Sequence, residues 1–555
     1  AGNDYLIGGT GDDSLTGGPG NDTFGYLDRR FGDDIITDFS AGDRIDLSAL
    51  NISSLEALRP FIRQVGADAV IELRFTSDRE TITIQNVQAA SLTAADFIFS
   101  TSPFALTVTG GNSQDYLFGG AGADRLNGLN SNDLLSGGGG SDVIDGGTGF
   151  DAALYWGVHR QYAASSTIVS GGPEGGADQL FNIEEARFVD GILTFDASSA
   201  SAQIMRLYSA TLNRTPDQAG LEANVAAMAT YGLQGMASFF VGSAEFQARF
   251  GALANQQFVE QLYVFALGRA GDSGGVAAWV AALNGGATRG QVVVGFSESA
   301  ENQGRTAATL NAGLWVPDAQ AQIIARLYDA TFDRLPDVGG LSGWTAALKT
   351  GTALVDIAAA FAGSAEFQAR YGALSNQAFV EQLYRFCLNR EGDAGGIAGW
   401  VAALNGGTSR ASVLMGFSES AEHAALTAAS WLGGIRYDGY VGAPVEDLGL
   451  KAFDDPQILP LDDDGAVYDP ADLGLALAEK DDDAFVLPGE DPSLPVFIDA
   501  VAVPEDGRSG TMAAVDLTIS PAPEVAMDDH FAMAFDAMVQ ARGTSEGSSM
   551  NDWIA

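Results

Sequence analysis

Aspartates recur every nine residues in two separate blocks of the chain, each in a glycine-rich frame. Three lie in the first block and five in the second: Asp4, Asp13 and Asp22, then Asp115, Asp124, Asp133, Asp142 and Asp151. A carboxylate is a hard oxygen ligand, and Ca²⁺ takes six to eight oxygens. The glycines permit tight turns with positive φ, so neighbouring turns can approach closely. The spacing therefore predicts calcium sites built from carboxylates and turn carbonyls.

A large apolar residue stands two positions after most of these aspartates. The set is Leu6, Leu15, Phe24, Leu117, Leu126, Leu135 and Ile144. A flexible Gly-Asp linker would not hold an apolar residue at one fixed offset. A unit of nine residues cannot bury this side chain alone, so the units must stack on one another.

Units such as GGTGDDSLT and GGAGADRLN resemble the nonapeptide repeats of the RTX (repeats-in-toxin) family. The resemblance implies a Ca²⁺-binding parallel β-roll that holds several ions, with all eight aspartates as metal ligands. Alternate turns of such a roll share an edge. We therefore expect Asp115, Asp133 and Asp151 on one edge, and Asp124 and Asp142 on the other.

Two features of the blocks predict unequal sites. Residues 128–131 read Gly-Leu-Asn-Ser and lack the second and third glycines of the repeat, which predicts a weak or empty site there. Asp133 lies in the middle of its stack and is expected to serve shared sites, whereas Asp22 ends a short block. Mutation of Asp133 is therefore expected to affect calcium binding more than mutation of Asp22.

The composition limits the possible partners. The 555 residues contain 72 acidic and 28 basic side chains, a net charge of −44, which disfavours nucleic acid and anionic membrane surfaces. The single cysteine, Cys387, excludes an intramolecular disulfide and is expected to be buried in a core. No apolar run is long enough to predict a membrane span. The chain begins inside a repeat, from which we expect the natural protein to extend upstream.

Alternating strands flank the repeats. Residues 70–75 and 81–84 show apolar side chains at period two, which predicts β-strands, and residues 33–47 resemble the segment that closes many RTX rolls. We predict a first roll with a β cap over residues 1–104 and a second roll with flanking strands over 105–200.

From about residue 201 the pattern becomes helical and repeats four times. Each copy has a Leu-Tyr pair, then Arg, Asp and Gly six, nine and twelve residues after the tyrosine. The tyrosines are Tyr208, Tyr263, Tyr328 and Tyr384, and the arginines are Arg214, Arg269, Arg334 and Arg390. The aspartates are Asp217, Asp272, Asp337 and Asp393. Sixteen residues after the tyrosine stand Asn224, Trp279, Trp344 and Trp400.

This pattern predicts a helix, a sharp loop and a second helix. Tyrosine and leucine are expected on the buried face, and the aspartate is expected to cap the second helix. An Arg–Asp pair across the loop is expected to fix its shape, and the tryptophan is expected to pack inward. Four equivalent copies favour structural over catalytic roles.

Residues 201–430 resemble tandem copies of the domain of unknown function 4214, which is itself similar to phycobilisome linker repeats. The resemblance implies a helical interaction or spacer module without known chemistry. We predict helical domain A over 201–312 and helical domain B over 313–435.

Residues 436–555 are predicted to form an acidic, extended C-terminal arm. Residues 441–555 hold 25 acidic and four basic side chains, as in a solvated disordered tail; an arm that docks on a neighbour or binds Ca²⁺ is the alternative. The terminal sequence Asn-Asp-Trp-Ile-Ala resembles the uncleaved signal of type I secretion substrates.

Catalytic motifs are absent from the sequence. It contains no His-Glu-x-x-His, no Gly-x-Ser-x-Gly and no P-loop, so we predict that this chain is not an enzyme. The predicted fold class is multidomain β + α: two parallel β-rolls with β caps, an all-α repeat region and the acidic arm.

The leading functional hypothesis is a secreted, calcium-binding structural or adhesive protein of a Gram-negative bacterium, of the S-layer or adhesin type. It would be exported by type I secretion to the cell surface or medium, fold there on Ca²⁺, and self-associate or bind a surface partner. The alternative is a C-terminal secretion and calcium-folding module of a larger enzyme whose catalytic domain lies upstream.

Overall fold

A computed structural model gives the fold and describes residues 2–75, 78–431 and 433–435. These residues lie within one compact unit, 1–448, with a strand-rich first part and a helical second part. The predicted acidic arm, 436–555, lies outside the described residues. Among the described residues, no helix combines the length and apolarity needed to cross a bilayer.

The first roll alternates between two sheets as the chain coils. Its strands are β1 (Tyr5–Leu6), β2 (Ser14–Leu15), β3 (Thr23–Gly25), β4 (Asp33–Ile36), β5 (Arg44–Asp46), β6 (Ile62–Val65), β7 (Asp68–Phe75), β8 (Asp78–Ile84) and β9 (Phe97–Ile98). A short helix, α1 (Leu55–Leu58), precedes β6. The sheet orders are β1-β3-β5-β9 and β2-β4-β8-β7-β6. Parallel pairing gives way to an antiparallel β6-β7-β8 meander, which contains both strands expected from the period-two pattern.

The second roll coils in the same way. Its strands are β10 (Thr107–Thr109), β11 (Tyr116–Gly120), β12 (Arg125–Asn127), β13 (Leu134–Gly138), β14 (Val143–Asp145), β15 (Ala152–Leu154), β16 (Tyr162–Ala164), β17 (Ile168–Gly171), β18 (Ala177–Phe181), β19 (Glu185–Phe188) and β20 (Gly191–Thr194). Leu117 pairs in register with Leu135, and Leu126 with Ile144. All four side chains are buried, because each coil covers the apolar residue of the next.

The two rolls are stacked. Phe61, just after α1, contacts Tyr116 and Phe118 of β11 with ring centroids 4.7 and 5.4 Å apart. Phe61 and Phe118 are both buried. The cap of the first roll therefore covers the first coil of the second.

Helical domain A contains seven α-helices and one π-helix, Gln247–Gly251, which follows α4. The α-helices are α2 (Ala200–Leu212), α3 (Gln218–Gly242), α4 (Ala244–Phe246), α5 (Asn255–Leu267), α6 (Ser273–Asn284), α7 (Arg289–Ser297) and α8 (Ala300–Asn311). Gly232, with φ 63° and ψ 171°, breaks the helical path inside α3.

A strand, β21 (Leu314–Pro317), follows α8 and leads into helical domain B. Domain B contains α9 (Ala319–Phe332), α10 (Val338–Lys349), α11 (Leu354–Gly363), α12 (Ala365–Tyr371), α13 (Asn376–Leu388), α14 (Ala394–Asn405), α15 (Arg410–Ser418) and α16 (Ala421–Trp431). Strand β21 pairs antiparallel with β20 and so extends a sheet of the second roll, which is β11-β13-β15-β19-β20-β21. The segment between the two helical domains is thereby attached to the second roll.

The four aspartates of the helical repeat cap the following helix, as predicted. Asp217, Asp272, Asp337 and Asp393 each accept the backbone N–H three residues on, at 2.7 or 2.8 Å. That N–H belongs to the glycine that stands twelve residues after the tyrosine in each copy. A Cβ there would lie 2.2–2.8 Å from the tyrosine hydroxyl oxygen, which explains why glycine stands at this position.

The prediction of an Arg–Asp pair across the loop is wrong. Each repeat arginine lies over its tyrosine ring, 5.0–5.2 Å from the centroid, and pairs with a glutamate about one helical hairpin later. The pairs are Arg214–Glu245, Arg269–Glu301, Arg334–Glu366 and Arg390–Glu422. The aspartate carboxylate accepts the helix N–H, whereas the glutamate lies in the first turn of a later helix and reaches back.

Cys387 is buried in the core of domain B, as expected, and its Sγ lies 3.3 Å from the carbonyl oxygen of Ala330. The tryptophans differ from expectation, because Trp279, Trp344 and Trp400 pack against the cores but remain partly exposed. Each contacts a phenylalanine of its own copy at a centroid distance of 5.5 or 5.6 Å.

Candidate calcium sites on the roll edges

The repeat aspartates form hydrogen-bonded ladders along the roll edges. In the second roll, the backbone N–H of Asp115 donates to Oδ1 of Asp133 at 2.8 Å, and that of Asp133 donates to Oδ1 of Asp151 at 2.7 Å. The N–H of Asp124 donates to Oδ1 of Asp142 at 2.7 Å. The two sets run along separate sheets, because successive nonapeptides contribute strands alternately to the two sheets.

The first roll has the same arrangement. The N–H of Asp4 donates to Asp22 at 2.8 Å, and the N–H of Asp22 donates to Asp43 at 2.8 Å. On the other edge, the N–H of Asp13 donates to Asp34 at 2.9 Å. Asp22 is fully buried, and the carboxylate of Asp43 follows it in the ladder. The expectation that Asp22 ends its block is therefore wrong, because the coil continues past the glycine-rich repeats.

One oxygen of most ladder carboxylates is buried and has no hydrogen-bond partner among the protein atoms. These oxygens are Oδ2 of Asp13, Asp22, Asp34, Asp124, Asp133, Asp142 and Asp151, and Oδ1 of Asp115. A buried, unpaired carboxylate oxygen is unfavourable unless a cation or another polar group compensates it. Rows of such oxygens along two roll edges therefore fit a cation.

The first glycine of most repeats lies against the unpaired oxygen. A Cβ on Gly119, Gly128 or Gly137 would come within 2.5, 2.3 or 2.2 Å of Oδ2 of the aspartate five residues later. The same Cβ on Gly119 or Gly128 would lie 2.4 or 2.5 Å from a carbonyl oxygen of the next coil. Glycine at this position thus lets carboxylate and carbonyl oxygens converge on one small volume.

These donors suit a hard cation. Among the described residues, no group of three or more His, Cys, Asp or Glu side chains converges on one point. A bound ion would therefore draw on one or two carboxylates at a time and complete its shell with backbone carbonyls and water. Ca²⁺ accepts such mixed oxygen shells, whereas Mg²⁺ requires compact octahedral geometry.

Burial and mutual repulsion make several of these carboxylates weak acids in the absence of metal. Burial raises the pKa of Asp133 to about 7, and the charges of Asp151 and Asp115 add to the shift. Burial also raises the pKa of Asp142 to about 7, assisted by Asp178, and that of Asp34 to about 6. A cation that binds here must compete with protons.

The coil at residues 128–131 keeps the geometry of the repeat without its glycines. Leu129 and Ser131 adopt left-handed backbone conformations, with φ of 77° and 79°. The ladder at Asp133 is intact on both sides. The missing glycines therefore place backbone strain on the loop and leave the carboxylate positions unchanged.

Several ladder members were not recognised in the sequence. Asp34 and Asp43 extend the first roll, and Asp178 and Glu184 extend the second, where their carboxylates accept the N–H groups of Asp142 and Asp151 at 3.0 and 2.7 Å. Asp178 lies four nonapeptide lengths after Asp142, which is a detectable signal. The intervening hairpin β16–β17 interrupts the glycine pattern that would have drawn attention to it.

Comparison with protein families agrees with this geometry. The model described as RTX calcium-binding nonapeptide repeat (4 copies) matches residues 1–25, 107–126 and 118–152. The model described as Domain of unknown function (DUF4214) matches residues 237–306, 318–368 and 358–427. The chain thus combines calcium-binding RTX repeats in both rolls with tandem DUF4214 domains in its helical part.

No curated protein matches the chain significantly. One solved structure with local likeness is the extracellular lipase LipA from Serratia marcescens, at 16% identity over 33% of this chain. The match spans 36% of the lipase chain, and its TM-score of 0.13 carries no argument about fold or activity.

Proposed function

We propose that this protein is a secreted calcium-binding structural or adhesive protein whose two rolls fold on Ca²⁺ outside the cell. The observation that carries the proposal is the row of buried, unpaired carboxylate oxygens on each roll edge. Calcium would offset their repulsion and supply the missing partner for each oxygen, so binding and folding would be coupled. RTX repeats are typical of secreted proteins, which supports an extracellular location.

The helical domains support a spacer or assembly role. In all four copies the repeat arginine is engaged in a cation–π contact and an ion pair, and the aspartate caps a helix. These roles are structural, so we assign no catalysis to the repeat. Export by type I secretion is part of the same proposal and rests on the terminal sequence motif.

The test is hydrogen exchange of the full-length chain, followed by mass spectrometry, in chelator and in millimolar Ca²⁺. Peptides from residues 107–152 are expected to exchange rapidly in chelator and to become protected with Ca²⁺, whereas Mg²⁺ should protect them poorly. Peptides from the cores of α2 and α13 serve as internal controls, because their burial does not depend on the carboxylate ladders. Equal protection of residues 107–152 in both conditions would refute calcium-coupled folding.

A further inference from the structure

The four helical copies present an equivalent face, and one copy uses it to bind another part of the chain. In each copy this face lies beside a phenylalanine whose ring meets the ring of the repeat tyrosine edge-on, with centroids 4.7–4.9 Å apart. The phenylalanines are Phe240, Phe296, Phe361 and Phe417. In the copy with Phe361, helix α10 lies against the cap of the first roll. A Cβ on Gly343 would reach Nη1 of Arg59 at 3.0 Å.

Trp344 lies at this intramolecular contact. It lines a groove of about 440 Å³ between α10–α11 and the cap, together with Arg59 and Ile62. This face of a helical copy is therefore a protein-binding face within the same molecule.

The copy with Phe240 carries a different aromatic set on the same face. It has Asn224 where the others have tryptophan, and Phe239 where they have Gly295, Ala360 and Gly416. In two of the tryptophan copies that position must be small, because a Cβ on Gly295 would reach the Trp279 ring at 2.4 Å. In the copy with Phe240 the aromatic ring comes from Phe239 instead, and it projects outward.

Phe239 forms an exposed pair with Tyr231. Their ring centroids are 4.9 Å apart at an interplanar angle of 84°, and the two side chains are 53% and 49% exposed. Gly235 makes room for Tyr231, whose Cβ lies 2.8 Å from where a Cβ of Gly235 would be. The described residues of the chain do not cover this pair, in contrast to the face around Trp344.

The segment that carries this pair is uncharged in a strongly acidic protein. Residues 223–244 contain no Asp, Glu, Lys or Arg, although the chain carries a net charge of −44. Contact between two copies through this segment brings no like charges of the segment together. A partner selected by positive charge would be drawn to the acidic surfaces instead.

We infer that the α3 face formed by Tyr231 and Phe239 is a docking surface for the same face of a second copy, in a two-fold dimer. Aromatic residues are the common anchors of such interfaces, and a two-fold contact places each pair against its equivalent. The inference deepens the proposed assembly role and rests on it.

The test is sedimentation velocity of the full-length chain in millimolar Ca²⁺ across micromolar concentrations. The wild type is expected to dimerise, more tightly as salt screens the general repulsion. Phe239→Glu should raise the dimer dissociation constant by about 30-fold, the size expected for an aromatic anchor. Val264→Glu is the matched control, because Val264 is 51% exposed in the same domain and the variant adds the same charge.

Each remaining outcome bears on the inference. A wild type that stays monomeric, a dimer unaffected by Phe239→Glu, or equal weakening by both glutamate variants would overturn it. Tyr231→Ser provides a second, milder variant if Phe239→Glu does not fold. Hydrogen exchange of residues 107–152 in the same samples reports calcium folding separately, so failure of the dimer and failure of the proposed function are distinguishable.

Discussion

The backbone N–H of Asp133 donates to Oδ1 of Asp151 at 2.7 Å, while Oδ2 of Asp151 is buried without a partner. One oxygen of the carboxylate thus links two successive coils, and the other oxygen is left available to bind an ion. The same division recurs along both edges of both rolls. A calcium ion bound at such an oxygen would therefore be coupled to the coil before it and the coil after it.

This coupling predicts unequal effects of removing single aspartates. Asp133→Ala is expected to lose more bound calcium than the removal of one ligand implies, because Asp133 also accepts the N–H of Asp115. Asp4→Ala is the matched control, since Asp4 is exposed at the first coil. Calorimetric titration of the full-length chain measures both, and indistinguishable stoichiometries would contradict the coupled ladder.

The raised carboxylate pKa values predict a pH dependence with opposite signs in chelator and in calcium. Asp133 and Asp142 titrate at about 7 in the calcium-free folded roll but at about 3.9 in an unfolded chain. Their protonation therefore stabilises the calcium-free roll at acid pH, and that stability is lost as pH rises from about 4 through 7. Stabilisation by Ca²⁺ should instead increase over the same range, because the ion displaces these protons.

Far-UV circular dichroism in chelator and thermal melts in Ca²⁺, each at about pH 5.5 and about pH 8, on either side of the raised pKa values, measure this dependence. Titrations in buffers of different ionisation enthalpy count the protons that calcium releases near neutral pH. Asp133→Asn should release fewer. Equal strand signal in chelator at both pH values, together with a calcium stabilisation that does not change with pH, would contradict titration of these carboxylates near 7.

The repeats themselves were predictable from sequence because period, ligand and apolar offset agree over many units. The extension to Asp34 was not, since the step from Asp22 to Asp34 is twelve residues rather than nine. Hydrogen bonding fixes Asp34 in the ladder despite the insertion. A strict periodicity search finds regular coils and misses the coils that close them.

The helical region shows a different limit of sequence interpretation. The aspartate caps follow local rules, so they were found. The Arg–Glu pairs do not follow from local rules, because the aspartate is much nearer to the arginine in sequence, although a Ser-Ala-Glu sequence occurs at the corresponding place in every copy. Trp344 also lines the groove against the first roll, a contact that no local pattern reports. Because Trp344 is only partly buried, its replacement by Ala should cost less than that of a fully buried aromatic residue.

Leu129 offers a direct test of the strained loop. Leu129→Gly is expected to stabilise the calcium-loaded second roll by about 0.5–1 kcal/mol, because relief of the left-handed strain exceeds the added chain entropy. Gly147 occupies the same place one coil later with φ of 98°, and a Cβ there would lie 2.1 Å from the Leu129 carbonyl oxygen. Gly147→Ala should therefore destabilise the roll. Thermal melts in saturating Ca²⁺ measure both, and a destabilised Leu129→Gly variant would contradict the strain argument.

His423 distinguishes helical domain B from domain A. It is fully buried, with Nδ1 2.9 Å from the Ser418 carbonyl oxygen and Nε2 3.0 Å from Oδ2 of Asp329. Both partners are hydrogen-bond acceptors, so the ring bridges a backbone carbonyl and a carboxylate. Domain A has Asn302 at the equivalent position, where Nδ2 donates to the Ser297 carbonyl at 2.8 Å, and Ser209 in place of Asp329.

His423→Ala is expected to destabilise domain B by about 2–4 kcal/mol, because it leaves a buried carbonyl and a carboxylate without donors and opens a cavity. His423→Asn combined with Asp329→Ser should recover most of that loss, since the pair reproduces the arrangement of domain A. Urea unfolding monitored on helical signal, with hydrogen exchange of α16 to localise the change, measures both variants. If the double variant is as unstable as His423→Ala, the stabilisation comes from the shape of the imidazole ring rather than from its two hydrogen bonds.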